Sequence, residues 1–188
     1  MPPKVKITKE GILETAIELL RQNGEGSVNA RSLASALNCS TQPIFSNFAT
    51  MEELQEAMVA TAYGHYLAFL EKEAENSAYP TYKAFGMAYI RFAEEEKELF
   101  RLLFMRDRGG APRTSTPDFE ASVEMIMKAN GVCRQTAEKM HLEMWACVHG
   151  IATMLATSFV PLGQEEISEM LTDVYQGLRA RHAEEATK

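Results

Sequence analysis

Apolar residues along this chain recur three and four positions apart, the period of a helix rather than of a strand. Ile12, Leu13, Ala16, Ile17, Leu19 and Leu20 predict a first amphipathic helix over residues 8–22, stopped by Asn23-Gly24. Ser27 is placed to cap a short second helix over 28–36, and Ser40 a third over 41–47. Pro43 falls in the first turn of that third helix, where a missing N–H costs little. Thr50 and Glu53 read as a capping box that opens a long fourth helix to about residue 75. Five more helices are predicted over 81–95, 99–104, 118–129, 135–158 and 165–181. The breakers between them are 76–80, the Gly-Pro-rich loop 108–117, and Pro161-Leu162-Gly163. No segment alternates with period two, so the expected class is all-α with about nine helices.

With 188 residues, 46% of them hydrophobic, the chain can bury a core without disulfides or metal. Cys39, Cys133 and Cys147 are odd in number and far apart, which argues against a disulfide framework or a zinc site and for reduced thiols in or near the core. The start, Met1-Pro2-Pro3-Lys4, lacks the apolar run of a signal peptide, and no stretch is long enough to span a bilayer. The expected location is the cytoplasm. The net charge of −7 opposes a nucleic-acid partner at first sight, but its distribution changes the picture. Residues 1–48 hold five bases and four acids, net +1, while the remainder holds 14 bases and 22 acids, net −8. Lys4, Lys6 and Lys9 form a local basic cluster at the start.

Two short helices joined by a tight turn make residues 27–48 a helix-turn-helix candidate. Val28, Leu33, Ala34 and Leu37 form the expected buried face of one, and Ile44, Phe45 and Phe48 that of the other. Thr41, Gln42, Ser46 and Asn47 are left outside, neutral hydrogen-bonding groups suited to base edges and phosphate oxygens. The same pattern also occurs in ordinary helical hairpins.

The run from Ser27 to Phe48, followed by Met51-Glu52-Glu53-Leu54, resembles the DNA-binding head of the TetR family of regulators. The stretch Trp145-Ala146-Cys147-Val148-His149-Gly150-Ile151 is similar to the tryptophan-His-Gly motif in one group of TetR-type C-terminal domains. The resemblance implies a three-helix head over 1–50 and a ligand-binding, dimerising body over 51–188. It implies a double-stranded DNA operator as partner and Lys4, Lys6, Arg31, Ser40, Thr41, Gln42, Phe45, Ser46 and Asn47 as the DNA-binding residues. Four positions depart from the family pattern. Asn38 stands where glycine is usual, Phe45 where tyrosine is common, Asn47 where histidine is, and Met51 where lysine is. Asparagine tolerates the left-handed conformation that the turn needs. Lys4, Lys6, Lys9 and Arg31 are available to replace the missing phosphate contacts.

In the body, Phe85, Tyr89, Phe92, Phe104, Met125, Trp145 and His149 are candidates for an apolar effector pocket, although each alone reads more readily as core. His141, Trp145 and His149 lie on one helical stripe, and no third ligand at useful spacing supports a metal there. His149-Gly150 is a candidate point of close helix packing. Ile151, Leu155, Met170, Leu171, Val174 and Leu178 supply apolar stripes on the last two helices, which the family resemblance turns into a homodimer interface. No nucleophile elbow, phosphate loop or acid pair is present, so an enzyme is not expected, and no cofactor is. The reading is a cytoplasmic DNA-binding regulator, a repressor released by a small apolar effector. Its alternative is a helical ligand-binding or interaction dimer with weakened or lost DNA binding.

Overall fold

A computed structural model describes residues 7–75, 77–107 and 118–185, and the expected loop at 108–117 lies outside them, as do Lys4 and Lys6. The described residues form nine α-helices and one 3₁₀ turn, with no strand. The helices are α1 (Lys9–Asn23), α2 (Ala30–Ala36), α3 (Gln42–Asn47), α4 (Met51–Glu75), α5 (Thr81–Glu95), α6 (Lys97–Phe104), α7 (Asp118–Asn130), α8 (Arg134–Ala156) and α9 (Gln164–Glu185). None of the described helices is long and apolar enough to cross a membrane.

Two compact units divide the chain. The first takes in the described residues up to Ala68 together with Glu96–Arg106; the second takes in Phe69–Glu95 and the described residues from Asp107 onward. Residues 51–68 and 96–106 thus group with the helix-turn-helix.

In the first unit α1 packs against α2, α3 and α6, and α2 packs against α3. Ile12, Ala16, Ile17 and Leu20 of α1, Leu33 of α2, Ile44 of α3 and Phe48 are all buried. Thr8 caps α1 by accepting from the Gly11 N–H, and Gly24, at φ 76°, ends it. Arg21 of α1 holds Glu96 with two bonds of 3.0 Å each.

The cap of α2 differs from the sequence expectation. Asn29, not Ser27, accepts from the Arg31 and Ser32 N–H groups, and Ser32 reaches back to the Asn29 N–H. The Ser27 hydroxyl instead donates to the Leu19 and Gly24 carbonyls. Asn29 wins because it sits in extended backbone next to the first helical residue, the geometry that a cap requires. Asn29→Ala is expected to cost about 1 kcal/mol, read as a lower unfolding midpoint; an unchanged midpoint would remove this cap. Likewise Thr41 rather than Ser40 precedes α3, and it makes no side-chain cap bond. The box that opens α4 is as expected, with the Glu53 N–H donating to the Thr50 hydroxyl at 3.2 Å and the Glu53 carboxylate accepting from the Ala49 N–H at 2.7 Å.

In the second unit α8 is the central helix, packed against α5, α7 and α9. Phe119, Val123, Ile126, Ala137 and Met140 form one buried cluster, with Tyr82, Val132, Tyr175 and Leu178 around it. A methyl group at Gly86 would meet Val148 at 3.5 Å and Leu171 at 3.7 Å, so α5 runs close to both C-terminal helices.

Candidate functional site

The turn between α2 and α3 passes through Asn38 at φ 50°, the left-handed conformation expected where the family pattern has glycine. The Cys39 N–H returns to the Ala34 carbonyl at 2.9 Å and closes the turn. Ala34 is buried, as its place at the helix crossing requires.

The outer face of α3 sorts its residues by what they are free to do. Ser46 donates its hydroxyl to the Gln42 carbonyl, and the Asn47 amide donates to the Pro43 carbonyl. Thr41 and Asn47 are half-buried. Gln42 is exposed, and so, against the expectation of a buried face, is Phe45 at 49%. Phe45 directly follows Ile44, a turn of about 100° on a helix, and of the two only Ile44 is buried. Ser40 and Arg31 are exposed as well. The α3 surface therefore presents an amide and a ring, Gln42 and Phe45, three residues apart on one face. Lys9, at the start of α1, lies 4.7 Å over the Phe48 ring and 3.4 Å from Glu53, tying α1 to the segment that follows α3.

The expected pocket residues are only partly brought together. Trp145 is stacked on His149, with centroids 4.8 Å apart and planes at 8°, and His149 Nδ1 lies 2.9 Å from the Tyr89 hydroxyl. Phe92 packs edge-on against Phe69. Phe85 and Met125 are half-buried. Phe104 belongs to the first unit, where it packs against Tyr66 and Phe100. A second tyrosine–histidine pair, Tyr82 and His141, repeats the α5–α8 link at 3.0 Å. A methyl group at Gly150 would meet nothing within 4 Å, so no close packing inside the chain requires that glycine. Cys39 and Cys147 are half-buried free thiols, but Cys133 is exposed, because it precedes α8 at a helix end rather than on a packed face. No group of three or more metal-binding side chains occurs among the described residues.

Burial pushes His149 below histidine's ordinary range, so the folded chain favours the neutral ring. As pH falls, the unfolded chain takes up that proton first. The contribution to stability is full above about pH 6.5 and is lost as pH drops through the lower folded value. Denaturation at about pH 7.5 and about pH 5.5 is expected to show a loss that His149→Gln reduces. An equal loss in both proteins would clear His149 of the effect.

A different cavity, of about 430 Å³, opens in the second unit among Ala129, Asn130, Val132, Met140, Gln176, Arg179, Ala180 and His182. Sequence reasoning missed these residues. They come from α7, α8, α9 and the loop between α7 and α8, and no single periodic stripe contains them.

The class is that of a two-unit, all-helical protein with a helix-turn-helix, α2 and α3, in its first unit. Residues 82–178 match the model of the tetracyclin repressor-like C-terminal domain, just over half of the chain. The chain belongs to the TetR family of transcription regulators. Solved structures share its fold. One is a protein of unknown function from Rhodococcus sp. RHA1, 20% identical, with a TM-score of 0.72 over 94% of this chain and 97% of that one. Another is a TetR-like transcriptional regulator from the same organism, 12% identical, with a TM-score of 0.65 over 94% and 96%. A third is a TetR variant from Acinetobacter baumannii AYE in complex with minocycline, 15% identical, with a TM-score of 0.62 over 95% and 98%. No curated protein matches the chain in sequence.

Proposed function

We propose that the chain is a cytoplasmic, non-enzymatic repressor that binds a double-stranded operator as a homodimer and leaves it when a small apolar effector binds. The observation that carries this reading is the free face of α3. Gln42 and Phe45 project from α3, which lies between the turn at Asn38 and the capping box that opens α4. An amide suits the adenine edge, and an aromatic ring suits the thymine methyl, in a major groove. Ser40, Thr41, Ser46 and Asn47 border that face, and Arg31, Lys4 and Lys6 supply charge for phosphates. Gln42→Ala and Phe45→Ala are each expected to weaken operator binding by about 1–3 kcal/mol without moving the unfolding midpoint. Parental affinity in both would move the operator contact to another face, whereas binding by the parent that names no sequence and vanishes as salt rises would transfer the reading to the alternative, a helical ligand-binding or interaction dimer with weakened or lost DNA binding.

The homodimer reading changes in detail once burial is known. Ile151, Leu155 and Leu171 are buried within the chain itself, and Leu178 is half-buried. Met170 and Val174, one turn apart on α9, are each 36% exposed and form the outward apolar strip. We assign the isologous contact to that strip, which would set two heads on successive major grooves.

For the effector, Tyr89, Trp145 and His149 are the connected group, with Phe85, Phe92 and Met125 on the same unit and Phe104 on the other. The similar Acinetobacter protein in complex with minocycline supports a small-molecule effector. An effector shifts DNA affinity only as far as it prefers one state of the dimer over another.

A further inference from the structure

The exposed face of α9, taken in reverse, is its own complement. Glu166, Met170, Val174, Gly177 and Arg181 follow one another at intervals of four, four, three and four residues, and all are exposed. That spacing keeps them on one side of a helix. Ile167, Leu171 and His182 turn inward and are buried. In chain order the outward face is an acid, a long apolar side chain, a branched one, a glycine and a base. Charge divides along the helix in the same way: residues 164–173 carry four acids and no base, and residues 174–182 carry Arg179 and Arg181 and no acid.

Gly177 has no reason inside the chain. Glycine weakens a helix interior relative to alanine, and a methyl group at Gly177 would meet nothing within 4 Å. A close approach from outside the chain does call for a glycine there. Met170, on the same face, is the side chain that would fill such a gap, because it is long, adaptable and already part-exposed. The helix dipole favours acids early and bases late. It does not require that Glu166 and Arg181 flank the apolar strip on one face.

We infer that α9 lies antiparallel on the α9 of a second copy of the chain, centred between Asp173 and Val174. This arrangement rests on the homodimer proposed above and adds to it an orientation and a register. Glu166 then meets Arg181 of the partner subunit, and Met170 fills the space over Gly177 of the partner subunit. Val174 lies beside Val174 of the partner subunit at the two-fold axis. Each pairing off the axis occurs twice, because the contact is isologous. A parallel arrangement would set Glu166 and Met170 each against its own copy and leave glycine facing glycine. Charges flanking an apolar strip choose the orientation of paired helices in this way, and complementary charge fixes the register. The face from Glu166 to Arg181 runs about 22 Å along the helix.

The test is sedimentation equilibrium of the full chain without DNA, on the parent, Glu166→Arg, Arg181→Glu and the two reversals together. Each single reversal turns two attractive pairs into two repulsive ones and is expected to weaken the dimer by about tenfold or more. The double reversal is expected to regain the parental affinity. The losses are expected to shrink at about 1 M salt, where screening is strong. Gly177→Leu is expected to weaken the dimer too, by taking the place of Met170 of the partner subunit, although leucine strengthens the helix itself. All three positions are exposed, and an unchanged helical signal confirms that each variant is folded. A monomeric parent would end the homodimer reading and this register with it. Four results with a dimeric parent would overturn the register and leave the homodimer standing: no change in either single reversal, a dimer tightened by Glu166→Arg, a double reversal no tighter than the singles, or parental affinity in Gly177→Leu.

Discussion

Phe48→Ala is expected to destabilise the first unit by about 3–5 kcal/mol and to abolish operator binding with it. Phe48 follows α3 directly, is 1% exposed, and returns its N–H to the Ile44 carbonyl. Its ring lies under the Lys9 ammonium, and Lys9 in turn reaches Glu53 at the start of α4. Truncation would therefore empty a fully packed site and release the clamp between the ends of α1 and α4. Domains are stable by only about 5–15 kcal/mol, so the loss is a large share of the whole. Urea denaturation followed by circular dichroism measures it. A loss under about 1 kcal/mol would mean that the site collapses around the gap and that Phe48 does not hold α3 in place.

Met170→Glu combined with Val174→Glu is expected to convert the homodimer to a folded monomer. Both side chains are partly exposed on α9, so two charges there meet water in the monomer and each other's copies in the dimer. Two heads on one operator act at high effective concentration, and losing that linkage is expected to cut DNA affinity by about 10²–10⁴-fold. Light scattering with retained helical signal is the readout. The control is Leu171→Glu, which places a charge at a position 2% exposed and is expected to unfold the chain. A double variant that stays dimeric would move the interface to another face.

Helix ends were legible in the sequence where one local chemistry decided them. Gly24, Thr50 with Glu53, and the left-handed Asn38 needed only side-chain reach and backbone preference. The α2 cap was misassigned because Ser27 and Asn29 are both able caps, and only the fold shows that Ser27 spends its hydroxyl on the Leu19 carbonyl. Phe45 was placed on the wrong face because six residues of α3 are too few for periodicity to separate it from Ile44. Apolar stripes on α8 and α9 could not show which of their residues face inward: Leu171 and Val174 share one pattern and differ in burial. The opening lined by Asn130 and Arg179 had no sequence signal, since its walls come from α7, α8, α9 and the loop between α7 and α8.

The central claim is sequence-specific DNA binding through α3. Retention of genomic DNA fragments by the purified protein at physiological salt, followed by sequencing, tests it most directly. The account predicts enrichment of a near-palindrome whose half-sites are about one helical turn apart, lost in Gln42→Ala and Phe45→Ala. A folded dimer that enriches no sequence, with retention that vanishes as salt rises, would contradict it.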